Sequence, residues 1–353
     1  QNGTENNKAK GNITIQNLSI DGRNGGSSLT YVGGWVCQRY FGSNLDNGKT
    51  ITVYNCNSTG DINGSHAGDI FGYETNFKSE GTITVTGCKS SGAISGQYAG
   101  GIFASNANKE GKKNSKITVD KCNSSGEISG WDAGGIFGTW ANQKAISGAI
   151  IEITNCYSSG DINKDAKYAG GIFGPDANHH SNGGIITVEN CNFSGNIGDG
   201  EDDGFQGGIF GSNANLSSSG DITVEYCYSE KKISGSHAGG IIGDRANSRA
   251  TATITVSNCY SLGEISHVYA GGIIGSWYNH SENGTSGGQI EIHTCCCNAE
   301  LDPPDSCGNE YRNSEPDYTT HKYLVNLTPS CSYQTRSKIV GVADAAGATY
   351  INL

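Results

Sequence analysis

Carboxylates and thiols recur in this sequence at spacings that could do chemistry. Asp61, Glu127, Asp161 and Glu264 each stand directly before an Ile at a matching place in a repeat. Glu127 and Asp161 fall in adjacent repeats, so stacking the repeats as strands would bring their backbones to roughly 5 Å. Two carboxyls that close suit retaining glycoside hydrolysis, one as acid and one as nucleophile. The same column continues with Ala93, Asn196 and Lys232, and no Arg or His accompanies the pair. A solvated column is therefore expected, with no catalytic residue.

The thiols are Cys56, Cys88, Cys122, Cys156, Cys191, Cys227, Cys259 and Cys295, spaced by 32 to 36 residues. One Cys per repeat lacks the Cys-x-x-Cys spacing of a zinc site, and no EF-hand loop for calcium is read. No metal or cofactor is expected. Stacked Cys would lie within disulfide range by Cα distance, and an oxidising compartment would pair neighbours. In-register parallel strands rarely give the required dihedral, which favours mostly free, buried thiols filling a corner. Cys37 lies off this ladder, while Cys296, Cys297, Cys307 and Cys331 leave it in a Pro-containing tail and are expected to staple that tail. Thirteen Cys is an odd number, so at least one stays free or pairs between chains.

What must position these residues is the repeat itself. Ile-Thr-Val-x-Asn-Cys is followed by x-Ser-Ser-Gly-x-Ile and then by Ala-Gly-Gly-Ile-Phe-Gly-x-x-Ala-Asn, written seven times between Ile51 and Cys295. A fixed period of this size means stacked units that bury their apolar faces on each other. Three short strand-like runs per repeat, with no helical periodicity, predict an all-β parallel β-helix, a β-solenoid of roughly triangular section. Ile13–Leu18 and Gly33–Val36 form a partial first copy with Leu18 in the Cys place, giving about nine coils. The expected organisation is a cap over 1–12, the solenoid over 13–301, and a Cys-containing cap or assembly tail over 302–353.

In Ile-Thr-Val, alternation should turn Ile51 and Val53 inward and Thr52 outward, and likewise in later repeats. Asn76, Asn108, Asn142, Asn178, Asn215, Asn247 and Asn279 form a second column. Asn tolerates left-handed backbone, and its amide can bond the identical amide above and below, so a structural ladder is expected. Gly pairs such as Gly134-Gly135 read as close backbone approach at a corner. Ile and Phe sit side by side at Ile70-Phe71 and its equivalents; only one faces the core of an ideal strand, so a loop covers the other or it forms an apolar stripe. The Thr column suggests ice binding only weakly, because its partner rank Tyr54, Thr86, Asp120, Glu189, Glu225, Ser257 is charged and irregular.

Two features point to an extracellular chain. It lacks Met and begins at Gln1, as removal of a leader, or equally a start in mid-chain, would leave it. It also carries Asn-x-Ser/Thr sequons at Asn2, Asn12, Asn17, Asn57, Asn63, Asn123, Asn192, Asn215, Asn279, Asn283 and Asn326. Asn57, Asn123 and Asn192 share one place directly after the Cys, expected to face solvent, and with Asn63, Asn283 and Asn326 are the expected glycan carriers. If the Asn column is inward, Asn215 and Asn279 stay unmodified. A net charge of -11 with no basic cluster disfavours nucleic acid. No run of 18 apolar residues exists to span a membrane.

The run Ala-Gly-Gly-Ile-Phe-Gly with Ile-Thr-Val-x-Asn-Cys-x-Ser-Ser-Gly-x-Ile resembles the GLUG-type repeats of secreted and surface-anchored proteins, over about residues 11–301. The resemblance implies a surface-exposed β-solenoid stalk or binding rod with no catalytic residues in the repeat. The Cys column and the sequons depart from its simplest form. The expected function is a structural or adhesive extracellular rod, a subunit of a filament or surface appendage that associates end to end, with glycans or cell-surface ligands as possible partners. The alternative is a polysaccharide-acting β-helix enzyme or carbohydrate-binding module. The outward His66, Tyr98, Tyr168, Phe205, His237 and Tyr269 read either as ordinary side-chain stacks on a parallel sheet, the favoured reading, or as a glycan-stacking surface.

Overall fold

The computed structural model describes residues 11–22, 32–198, 204–264, 266, 270–276, 278, 288–297, 323–326 and 348–349. β-Branched residues dictate the long strands, which start at Ile13–Gln16 and recur at Thr50–Tyr54, Thr82–Thr86, Lys116–Asp120 and Ile150–Thr154. They continue through Ile185–Glu189, Ile222–Glu225, Thr253–Ser257 and Gln289–His293. Each ends at a residue held near φ +55°, such as Asn55 at 53° or Asn155 at 52°, where the chain turns a corner. A two-residue strand follows, the first Ser19–Ile20 and the last Cys296–Cys297.

Both series stack in parallel and in chain order, into an 11-stranded and a 9-stranded sheet. The larger is completed by Tyr323–Asn326 and Ala348–Thr349 from the tail. The fold is thus a parallel β-solenoid, with no helix among the described residues. About seven turns are complete, so the count of nine coils is approximate. Register is strict: Ile51 pairs Ile83, which pairs Ile117. From Ile51 and Val53 onward the Ile and Val columns are buried, while the Thr between them faces out.

The third side departs from the expected strand. It is held by single parallel bridges in the Ile62, Gly68 and Phe71 columns. Ile102 O accepts both Ile70 N–H at 3.2 Å and Phe71 N–H at 2.8 Å, which marks a bend. Strand alternation does not apply at a bend, so both Ile70 and Phe71 are buried in one core and no apolar stripe is left at this column. The Phe rings stack from Phe71 to Phe103 at 4.5 Å and onward to Phe210 at 4.6 Å. Beyond them alternate residues take positive φ, as at Glu74 (56°), Asn76 (61°) and Lys78 (52°).

Candidate functional site

Inside the rod, two ladders absorb most of the polar side chains that recur. Asn76 Nδ2 donates to Asn108 Oδ1 at 2.8 Å, and the chain of amide bonds runs on through Asn142, Asn178 and Asn215 to Asn247. All six are fully buried, at φ between 58° and 67°. The cysteines form the second ladder. Cys56 N–H donates to Cys88 Sγ at 3.4 Å, and the same bond repeats up to Cys295. All eight are buried free thiols, as is Cys37. Burial, then the neighbouring thiol Cys122, pushes Cys156 up, which keeps it neutral. Cys37 bridges Phe71 and so takes the Phe place in the first coil. Leu18, in the Cys place, is 43 % exposed.

The outer carboxylates brace the next coil. Asp61 Oδ1 accepts Ala93 N–H at 3.0 Å, Asp161 Oδ1 accepts Asn196 N–H at 2.8 Å, and Glu127 Oε1 accepts from Asn163 Nδ2 at 3.0 Å. Lys232 and Glu264 lie 3.8 Å apart. All of these acids are exposed. Nothing in this arrangement distinguishes Glu127 and Asp161 as acid and nucleophile. Among the described residues, no group of three or more His, Cys, Asp or Glu is arranged to hold a metal ion.

The outward aromatics are stacked on one another. His66 lies 4.6 Å from Tyr98, Tyr168 5.1 Å from Phe205, and Phe205 5.2 Å from His237, with planes within 18°. Their faces are spent on each other and only edges remain outward, whereas a sugar needs an open ring face. Asp132 interrupts the column. There Trp140 stacks on Tyr98 at 5.0 Å and Trp131 on Tyr168 at 6.1 Å, with Trp131 49 % exposed.

This interruption holds a carboxyl pair that the repeat pattern conceals. Burial raises Asp132 to about 6. Burial, then the charge of Asp132, raises Asp176 to about 7, against the opposing hydrogen bonds of Asn213 and Trp140. Burial also lowers His179, which lies 3.9 Å from Asp176, to about 4. Asp132 and Asp176 occupy two different columns of the repeat, the ones in which Tyr98 and Trp140 stack one coil earlier. Asp69 and Asp244 are likewise raised to about 7 by burial.

The sequons sort by geometry. Asn57, Asn123 and Asn192 lie on the outer face but are half-buried. Asn123 Nδ2 donates to Tyr157 Oη and Asn192 Nδ2 to Tyr228 Oη. Asn63 is exposed, and its Oδ1 accepts from Ser95 Oγ at 2.6 Å. Asn215 is a buried rung of the amide ladder. Asn2, Asn279, Asn283, Cys307, Cys331 and Tyr269 lie outside the described residues, as do the side chains of Asn326, Cys296 and Cys297.

At the start of the rod, Ile13–Gln16 is the terminal strand of its sheet among the described residues, paired on one side to Thr50–Tyr54. Ile13 and Ile15 are half-buried there. At the other end the tail strands extend the chain's own sheet, as a cap would; Ser337–Ala343 lies outside the described residues. No helix among the described residues is long and apolar enough to cross a membrane. No protein-family model, curated protein or solved structure matches the chain.

Proposed function

We propose that this chain is a structural or adhesive extracellular rod that associates end to end. One observation carries the reading: among the described residues Ile13–Gln16 is paired on one side only, a half-apolar parallel edge in register with the whole sheet. An open strand edge is a template for another strand. Contact between that edge and the tail end of a second copy is heterologous, and heterologous contacts that do not close give filaments. The sequons and the resemblance to GLUG-type repeats support an extracellular setting. Negative-stain electron microscopy over a concentration series tests the proposal. Filaments with an axial repeat near one rod length are expected; isolated rods at every concentration would sink end-to-end association.

A second reading, a carbohydrate-binding or polysaccharide-acting module, draws on the Asp132–Asp176 pair beside Trp131 and Trp140. Two carboxyls, both raised by burial, near partly open indoles suit a sugar. A glycan array probed with the intact chain and with Trp131→Ala tests it: binding that survives the substitution, or no binding at all, removes this reading.

A further inference from the structure

We propose that Asn12 and Asn17 are N-glycosylated and that their glycans gate the sheet edge at Ile13–Gln16, which is paired on one side only among the described residues. This rests on the reading of an extracellular rod that associates end to end. Both asparagines begin Asn-x-Ser/Thr sequons, and they flank the edge strand Ile13–Gln16, one on each side. Both are exposed, as are the sequon hydroxyl residues Thr14 and Ser19.

The hydrogen bonds aim the two side chains. Asn12 Oδ1 accepts Thr50 N–H at 3.0 Å, which anchors its carbonyl to the next coil. Asn17 Oδ1 accepts from Asn55 Nδ2 at 3.4 Å. In that rung the amide donates toward the preceding coil. Asn17 stands in the first described coil, so no preceding described coil offers its own Nδ2 the same acceptor. Neither Nδ2 donates a hydrogen bond among the described residues. Asn123 and Asn192 differ, since their Nδ2 atoms are committed to tyrosines of the next coil.

Modification joins Nδ2 to the anomeric carbon of an oligosaccharide carried on a lipid pyrophosphate. The C–N bond forms, the C–O bond to the pyrophosphate breaks, Nδ2 loses one proton, and lipid pyrophosphate leaves. A second strand must approach to about 4.8 Å to pair with Ile13–Gln16. A branched, hydrated glycan at each side of the strand blocks that approach, as charged residues or Pro do on other exposed edges.

The test uses the full chain secreted from a eukaryotic host, with glycopeptide mass spectrometry for occupancy and light scattering with electron microscopy for assembly. Asn63 serves as the exposed control away from the edge. Expected are glycans on Asn12, Asn17 and Asn63, none on Asn215, and single rods. Enzymatic deglycosylation, or the double variant T14A/S19A, which removes both sequons at exposed positions, should then at least double the particle mass and yield filaments. Bare Asn12 and Asn17 beside an occupied Asn63 overturn the proposal. Filaments of fully occupied rods overturn the gate but leave end-to-end association standing. Occupied rods that stay single after both treatments overturn the gate and end-to-end association together.

Discussion

Asn142 shows what one rung of the amide ladder is worth. It accepts from Asn108 Nδ2 at 2.8 Å and donates to Asn178 Oδ1 at 2.9 Å, at φ 60°. Asn142→Ala strands two buried groups, at about 1–3 kcal/mol each. It also places a Cβ in left-handed backbone without the compensating amide, at about 1–2 kcal/mol. Asn142→Gly incurs only the first cost. Denaturant titration should rank wild type above Asn142→Gly and that above Asn142→Ala; equal stability of all three would deny the ladder any energetic role. Buried acids give a pH dependence of unusual sign. Asp69, Asp176 and Asp244 are raised to about 7 and Asp132 to about 6, mainly by burial. Each prefers to be protonated in the fold, so its contribution is full below about 4 and is lost as pH rises through about 7. His179, lowered to about 4, opposes this below about 6.5. Burial lowers His66 too, with the same sign of effect. Four acids against these two histidines predict a melting temperature that rises on acidification from pH 8 to pH 5. Asp176→Asn keeps an oxygen to accept from Trp140 and suits φ 58°. It should raise the melting temperature at pH 8 and flatten part of the slope; an unchanged profile would remove Asp176 from the account.

Elements built on strict alternation were legible from sequence, and those built on bends were not. Ile51, Thr52 and Val53 fall where period two puts them, because the long strands are extended and paired on both sides. Asn76 and Cys56 were legible as columns because register repeats each place exactly once per turn. Ile70 and Phe71 were ambiguous, since nothing in two adjacent apolar residues announces the bend that buries both. Asp132 and Asp176 were not legible as neighbours, because they belong to different columns and a column pattern does not say which other column it faces. The Gly columns make this third side possible. A Cβ on Gly135 would stand 2.0 Å from Gly171 O and 2.4 Å from Ser158 Oγ. Since one contact is backbone, the coils must part locally. Gly135→Ala should therefore destabilise far more than the roughly 1 kcal/mol that Gly and Ala differ by in ordinary positions. A Gly135→Ala variant melting within a degree of wild type would mean the third side is looser than its geometry.

Over the whole molecule, stability in a stack is a sum of coil and interface terms, so it need not be uniform. Every ladder stops before the first coil. Gly42 holds the place of Asn76 and Leu18 that of Cys56, while Cys37 stands in the Phe column. Ile13–Gln16 is paired on one side, and Ile13 and Ile15 are half-buried where Ile151 and Ile153 are fully buried. Amide hydrogen exchange should then be fastest at Ile13–Gln16 and slowest in the strands from Lys116 to Glu189. The missing rung leaves a trace, because Asn76 Oδ1 is buried without a donor. Gly42→Asn would supply it, since each amide in the ladder donates to the next coil and φ at Gly42 is 76°. The new Cβ would meet Ile51 Cδ1 and Ile83 Cδ1 at 3.0 Å, flexible side-chain ends that need shift only slightly. A satisfied buried amide contributes about 0.5–1.5 kcal/mol. The variant should slow exchange in the first coil by several-fold and leave the central strands unchanged. Equal slowing throughout would show that the rod opens as one cooperative unit, and no slowing would show that the open end does not owe its weakness to the missing amide.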